Sequence, residues 1–341
     1  MAPSALIIGG NGQIGRAAAR RLAKAGWSVS IGSRSGSDAE PDVTTVPLDR
    51  DDTQALLAAA RGKDLVLDVV AFTQAHATQL ANLAGDVGSL VVISTGAVYK
   101  GAEDGAGGLP VPVPEDWPTL ADPGPATAGH EAYGANKAAM ERLLLETDDL
   151  PVTILRPGTL HGPYSASLHQ WSFIKPALDR RPHVVLAYDG RSRFSTSAVA
   201  NVAELIALCA AAPGKRVLNA TDDEALTVAQ IGARVFAAMS HDCEILTFPG
   251  PPREDGLGFN PWGIPSDIVL DMRKARDELG YTPAVSYDEA LRTDIDWAIS
   301  AVETAQECGL SWHDVFPGLV GRFGAACWFP YDAEDSFARS R

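Results

Sequence analysis

Ala5-Leu6-Ile7-Ile8-Gly9-Gly10-Asn11-Gly12-Gln13-Ile14-Gly15 is the stretch on which the fold turns. A short, wholly apolar run is what a strand buried on both faces of a parallel sheet requires. It enters G-x-x-G-x-x-G and then the alanine-rich stretch Ile14 to Ala25, whose period is helical. Glycines at this spacing allow a tight turn and close backbone approach, so that a pyrophosphate can rest on the helix N-terminal amides and the positive end of the helix dipole. A strand before the motif and a helix after it is the context the motif demands.

Outward from this stretch the first half keeps alternating. Strands are expected at Ala5 to Ile8, Ser28 to Ile31, Val43 to Pro47, Leu65 to Val70, Leu90 to Ser94 and Val152 to Leu155. Helices are expected at Ile14 to Ala25, Asp52 to Arg61, Thr73 to Ala84 and Glu131 to Glu146. Such alternation predicts an α/β fold of Rossmann type, a doubly wound parallel sheet with a smaller C-terminal substrate lobe. Residues 1–160 are expected to form the dinucleotide-binding domain, completed by about 192–221 through a helix at Ser197 to Ala211 and a strand at Val217 to Asn219. Residues 161–341 form mainly the substrate lobe, and Cys308 to Arg341 shows no readable period. The connection Gly96 to Gly129, with six prolines from Pro110 to Pro125, is read as a substrate-side loop.

The 341 residues carry a formal net charge of -15, which argues against nucleic acid or an anionic membrane as a partner. No stretch reaches the roughly 20 apolar residues of a membrane span. Cys209, Cys243, Cys308 and Cys327 are scattered without a C-x-x-C pair, so a reduced, cytoplasmic setting is expected. The seven histidines, His76, His130, His161, His169, His183, His241 and His313, show no metal-ligand spacing, and no metal is expected.

NAD enzymes place a carboxylate at the end of the second strand to bind the ribose 2′-hydroxyl. Here Ser33-Arg34 stands there, and Asp38 and Glu40 come too late. A guanidinium pairs with a 2′-phosphate through charge-assisted hydrogen bonds, so NADP(H) is expected over NAD(H). Asp49, after the third strand, is assigned to the adenine amino group or to the cap of the following helix.

Tyr133-Gly134-Ala135-Asn136-Lys137 puts a phenol and an ammonium on one helix face. A free tyrosine titrates near pH 10. An adjacent cation lowers that value, so Tyr133 can exchange a proton at neutrality. The strand Val91-Val92-Ile93 ends in Ser94-Thr95, at the sheet edge where doubly wound folds hold ligands.

These elements together resemble the extended short-chain dehydrogenase/reductase family, the group of NAD(P)-dependent epimerases and dehydratases. The resemblance rests on Gly9 to Gly15, Ser94 to Tyr99, Tyr133 and Lys137, and Leu155-Arg156-Pro157-Gly158 with Gly162-Pro163. Weaker echoes are Asn219 to Val228, Leu279 to Pro283 and Ala290 to Trp297. It implies Thr95, Tyr133 and Lys137 as the catalytic group beside the nicotinamide. It further implies that Val70 and Ala71 line the cofactor, that Pro157 lies near the nicotinamide ring, and that homodimers form through the helices at Thr73 to Ala84 and Glu131 to Glu146. Those helices would then carry an outward apolar stripe.

Departures from the family pattern narrow the reading. Thr95 is followed by Gly96-Ala97 rather than the Asp-Glu pair of 4,6-dehydratases, Lys100 stands where Gly is frequent, and His161 replaces a frequent Tyr. The segment Arg193 to Ala200 lacks the usual acidic residues. The expected function is NADP(H)-dependent reduction of a carbonyl, or oxidation of an alcohol, on a small or medium polar metabolite. Tyr133 passes the proton, Lys137 lowers its pKa and holds the ribose, and Thr95 orients the substrate oxygen. The alternative is a nucleotide-sugar epimerase with tightly bound cofactor; the third reading is a non-catalytic dinucleotide sensor or RNA-binding relative on the same fold.

Overall fold

The computed structural model describes residues 1–34, 42–102, 108–123, 132–324 and 328–341. Asp38, Glu40, His130, Glu131, Cys327 and parts of the Gly96 to Gly129 connection lie outside the described residues.

Leu6 and Ile8 point to one side of the first strand and Ala5 and Ile7 to the other, and all four are buried, which explains the unbroken apolar run. That strand, β1 (Ser4–Ile8), feeds helix α1 (Gln13–Lys24). There follow β2 (Ser28–Ser33), β3 (Val43–Pro47), α2 (Thr53–Ala60), β4 (Leu65–Asp68), α3 (Gln74–Ala81), β5 (Leu90–Ile93), α4 (Tyr133–Glu146) and β6 (Val152–Pro157). Next are β7 (Thr159–His161), α5 (Trp171–Leu178), β8 (His183–Leu186), β9 (Thr196–Ala198), α6 (Val199–Ala211) and β10 (Arg216–Ala220). The chain closes with α7 (Val228–Ala238), β11 (Glu244–Thr247), α8 (Arg273–Leu279), α9 (Tyr287–Glu307), α10 (Trp312–Val315), α11 (Pro317–Phe323) and α12 (Tyr331–Arg339).

Seven strands form one parallel sheet in the order β10-β6-β5-β4-β1-β2-β3. The order reverses between β1 and β4, the crevice where doubly wound sheets bind ligands. Helices α1 and α6 pack against one face, while α2, α3 and α4 cover the other. Residues 199–220 thus return to the sheet as α6 and its edge strand β10.

A separate core gathers Trp171, Phe173, Trp262, Leu291, Phe316 and Leu319 from α5, α9, α10–α11 and the loop before α8. The stretch from Cys308 onward, without a readable period in sequence, forms three helices among the described residues. They are short and aromatic-rich, with α11 starting at Pro317, so no continuous 3.6-residue stripe marks them. Their aromatics do pack: Trp312 lies within 6.3 Å of Trp171 and Phe323 within 5.8 Å of Phe259, ring centre to ring centre.

The proline-rich connection is firmly held where it is described. Val113 is fully buried and its N–H donates to Val269 O at 2.7 Å, while Arg142 of α4 donates to Leu120 O at 2.9 Å. On α3, Gln74, Ala75 and Thr78 are exposed, and on α4 Arg142, Leu143 and Leu145 are half-buried. No helix among the described residues is long and apolar enough to cross a membrane.

Candidate active site

The phosphate loop is shaped by close approach. A Cβ on Gly15 would stand 2.5 Å from Gly10 Cα and 2.8 Å from Gly9 O, so only glycine lets the helix start lie on the loop. Gly12 is the N-cap of α1, and only Gly9 O, at 3.8 Å, borders the place a Cβ would occupy there. The first-turn amides, from Gln13 and Ile14 onward, have no acceptor within the helix. Gln13 Oε1 is buried without a hydrogen-bond partner among the described residues. Glycine cradle and open amides fit the diphosphate of a dinucleotide. Val70, 44% exposed, leans over this loop, its Cγ1 2.6 Å from where a Gly9 Cβ would sit, and Ala71 is buried behind it.

At the end of β2, Asn11 Nδ2 donates to Ser33 Oγ at 2.9 Å, joining loop to strand end, and Arg34 follows at an exposed position. Asp49 is exposed and accepts from the Asp51 amide at 3.1 Å. It is not the helix cap: Asp52 is, accepting from Ala55 N at 3.0 Å.

The carboxyl end of β5 carries the second half of the site. Thr95 caps the turn Gly96–Val98, accepting from Ala97 N at 3.2 Å. Gly134 lets α4 close on that turn, since a Cβ there would lie 2.2 Å from Ala97 O. The closure sets Tyr133 beside Thr95, and Phe72 stacks on the Tyr133 ring at 5.6 Å. Pro157 ends β6 beside this turn, its carbonyl 3.4 Å from the position of a Gly96 Cβ.

Lys137, one turn after Tyr133, is buried, and its ammonium donates to Ala71 O at 2.6 Å and Ile93 O at 2.8 Å. Burial draws it down to about 8, against the pull of Asp68 and Glu141 toward the charged form. Tyr133 lies above its ordinary value: crowding raises it, and Thr95 and Arg322 draw it back. Lys137 is turned to the two carbonyls rather than to the phenol.

Several residues of the site escaped the sequence reading. Glu141, one turn beyond Lys137, is buried, accepts from Ser94 Oγ and holds Arg156 Nη2 at 2.5 Å. Arg156 also lies over the Tyr99 ring at 4.7 Å, and Tyr99 donates to Asn219 Oδ1 at 2.6 Å. Asp68 at the end of β4 is fully buried and paired with Arg50. An acid closing the apolar run Leu65-Val66-Leu67 was a signal available for Asp68; nothing local marked its partner. His161 is not in the cleft. It is wholly buried between Asp294, at 2.6 Å from Nδ1, and Asp222, at 2.8 Å from Nε2. His169, Trp171 and Phe173 are likewise buried.

A model of the NAD dependent epimerase/dehydratase family matches residues 5–220. Among curated proteins, the uncharacterized protein YbjS of Escherichia coli (strain K12) is 26% identical over 195 residues, which cover 48% of this chain and 56% of that protein, so the match spans little more than half of the relative. Among solved structures, the epimerase Mth375 of Methanothermobacter thermautotrophicus has a TM-score of 0.68 at 19% identity, covering 90% of this chain and 95% of that one. The dTDP-glucose 4,6-dehydratase of Bacillus anthracis, in complex with NAD, gives 0.65 at 17% identity, covering 89% and 98%. The UDP-glucuronic acid 4-epimerase of Bacillus cereus, in complex with UDP-glucuronic acid and NAD, gives 0.64 at 18%, covering 86% and 98%. At these identities the likeness is one of fold.

Proposed function

The chain belongs to the NAD-dependent epimerase/dehydratase family, and we propose that it moves a hydride between a nicotinamide dinucleotide and a secondary alcohol or ketone carbon of a small or medium polar substrate. One observation carries this reading. Thr95, Tyr133 and Lys137 meet at the carboxyl end of β5, across the switch point from the glycine loop. The dinucleotide, when bound, supplies the hydride chemistry. Tyr133 carries the proton at the substrate oxygen, Thr95 orients that oxygen, and Lys137 contributes positive charge from below.

Within the family we place an epimerase first, reversing the order expected from sequence. Transient oxidation and re-reduction at one carbon needs only this group of three. A 4,6-dehydration needs further acid and base, and Gly96-Ala97 supply neither. The second reading, an NADP(H)-dependent carbonyl reductase, draws on one observation: the exposed Arg34 beside Ser33, with no carboxylate among the described residues at the end of β2.

Extraction of dinucleotide from purified protein, with calorimetric titration by NADPH and NADH of wild type and Arg34→Ala, separates the two. Co-purifying NAD with no NADPH preference favours the epimerase. NADPH binding at least about tenfold tighter, roughly 1.4 kcal/mol, and lost in Arg34→Ala, favours the reductase. Failure to bind either dinucleotide overturns both.

A further inference from the structure

The Lys137 ammonium is held by two backbone carbonyls, and one of them is itself fixed by a buried acid. Asp68 Oδ1 accepts from Val70 N at 2.9 Å and from Ala71 N at 2.7 Å, so its carboxylate is the hub of the tight turn after β4. Ala71 O, on that turn, receives Lys137 Nζ. Asp68 Oδ2 faces Arg50 Nη2 at 3.1 Å, and Arg50 Nη1 donates to Gln79 Oε1, which anchors the guanidinium to α3.

We infer that Asp68 is the positioning residue of the Tyr133–Lys137 pair: it fixes the turn whose carbonyl seats Lys137, and it supplies the negative charge that keeps the buried amine protonated. This rests on the reading of Lys137 as part of the active group.

The two carbonyl dipoles favour the ammonium, but a neutral amine donates to them as well, and a nearby carboxylate favours the charged form more strongly. The charged and titratable groups around Lys137 are Asp68 from β4, Arg50 from the β3–α2 connection, His76 from α3, and Glu141 and Tyr133 from α4. Glu141 is consumed by Arg156, which meets it at 2.5, 3.1 and 3.2 Å, and by Ser94. Arg50 meets Asp68 through one contact, at 3.1 Å, against the three of Arg156 on Glu141, so more of the Asp68 field reaches Lys137. An unopposed acid at the switch point would also repel a dinucleotide diphosphate, and Arg50 offsets that repulsion.

Two substitutions in the Asp68–Arg50 pair test the assignment, because they disrupt the same contact but change the local charge in opposite directions. Asp68→Asn keeps an acceptor for both amides and removes the negative charge. Arg50→Gln removes the positive one. The readout is the titration of Lys137 by carbon NMR of protein labelled at lysine Cε, its signal assigned by its absence in Lys137→Arg. We expect the Lys137 midpoint to fall by about one pH unit in Asp68→Asn and to rise in Arg50→Gln. If Asp68→Asn does not fold, the double variant must titrate below Arg50→Gln alone. Midpoints that move together, or not at all, overturn the assignment, because a purely structural pair would respond alike to either loss. The titration uses neither dinucleotide nor substrate. Its failure with dinucleotide binding intact would sink only the role of Asp68, whereas absent dinucleotide binding would sink the functional reading.

Discussion

Two buried cations, Lys137 and His161, show opposite outcomes of burial. Desolvation disfavours both charged forms. Lys137, whose direct acceptors are the neutral carbonyls of Ala71 and Ile93, is left at about 8. His161, with the carboxylates of Asp294 and Asp222 at 2.6 and 2.8 Å, is lifted to about 10 despite complete burial. Direct contact with an acid outweighs desolvation; dipoles with acids further off do not. The first arrangement leaves a proton exchangeable near neutrality, as a reactive site needs. The second is a fixed charge that ties β7 to α9 and to the loop after β10, and so ties the C-terminal core to the sheet.

The largest effect should come from the exchangeable side. Tyr133→Phe removes the proposed proton carrier and is expected to lower turnover in a dinucleotide-linked assay by about 10²–10⁴-fold. Because the ring is 37% exposed, stability should change by less than about 0.5 kcal/mol. Turnover near that of wild type would remove Tyr133 from the reaction.

On the fixed side the effect is on folding. His161→Leu leaves Asp222 and Asp294 buried without their cation and is expected to cost about 3–5 kcal/mol in urea denaturation. A loss under about 1 kcal/mol would mean that the cluster is not ionised, and the contrast with Lys137 would collapse.

The pH dependence of stability sharpens the same contrast. Because the folded value of His161 lies above its ordinary 6.5, its contribution is complete below about pH 6.5 and is lost as the pH rises through about 10. Melting temperature should therefore decline between pH 7 and 10 in wild type, and His161→Leu should lack that part of the decline. Equal slopes in the two proteins would contradict the raised value.

These two clusters also mark what was legible in the sequence. The placement of the glycine loop, Thr95, Tyr133 and Lys137 around one crevice was readable because a strand end, a turn and one helical turn set their spacing locally. The central strands β1, β4 and β5 were readable because their apolar runs are buried on both faces, with ends shifted by a residue or two. The partners of His161 lie 61 and 133 residues away in sequence, and Glu141 meets Arg156 and Ser94 across 15 and 47 residues. No period or motif connects them. The strands β7, β8, β9 and β11 have three or four residues each, too few to display alternation.

A third buried group extends the rule to a case with no cation in contact. Glu334 of α12 is 6% exposed, and its Oε1 accepts from Val185 N at 3.0 Å, closing the outer edge of β8. Burial raises its carboxyl, the Val185 amide and the field of Arg181 only partly oppose this, and it reaches about 7. Here the folded state binds the proton more tightly than the unfolded chain, so stability is lost as the pH climbs from about 4.5 through 7. Glu334→Gln keeps an acceptor for Val185 and has no charge to bury. It should match wild type at pH 5 and be more stable by about 1 kcal/mol at pH 8, less than the full linkage because the new amide N–H₂ must also find a partner. Guanidinium denaturation at the two pH values reads this directly. A variant less stable than wild type at pH 8 would show that Glu334 works as a carboxylate, and that direct contact with a cation is not required to keep a buried charge in this fold.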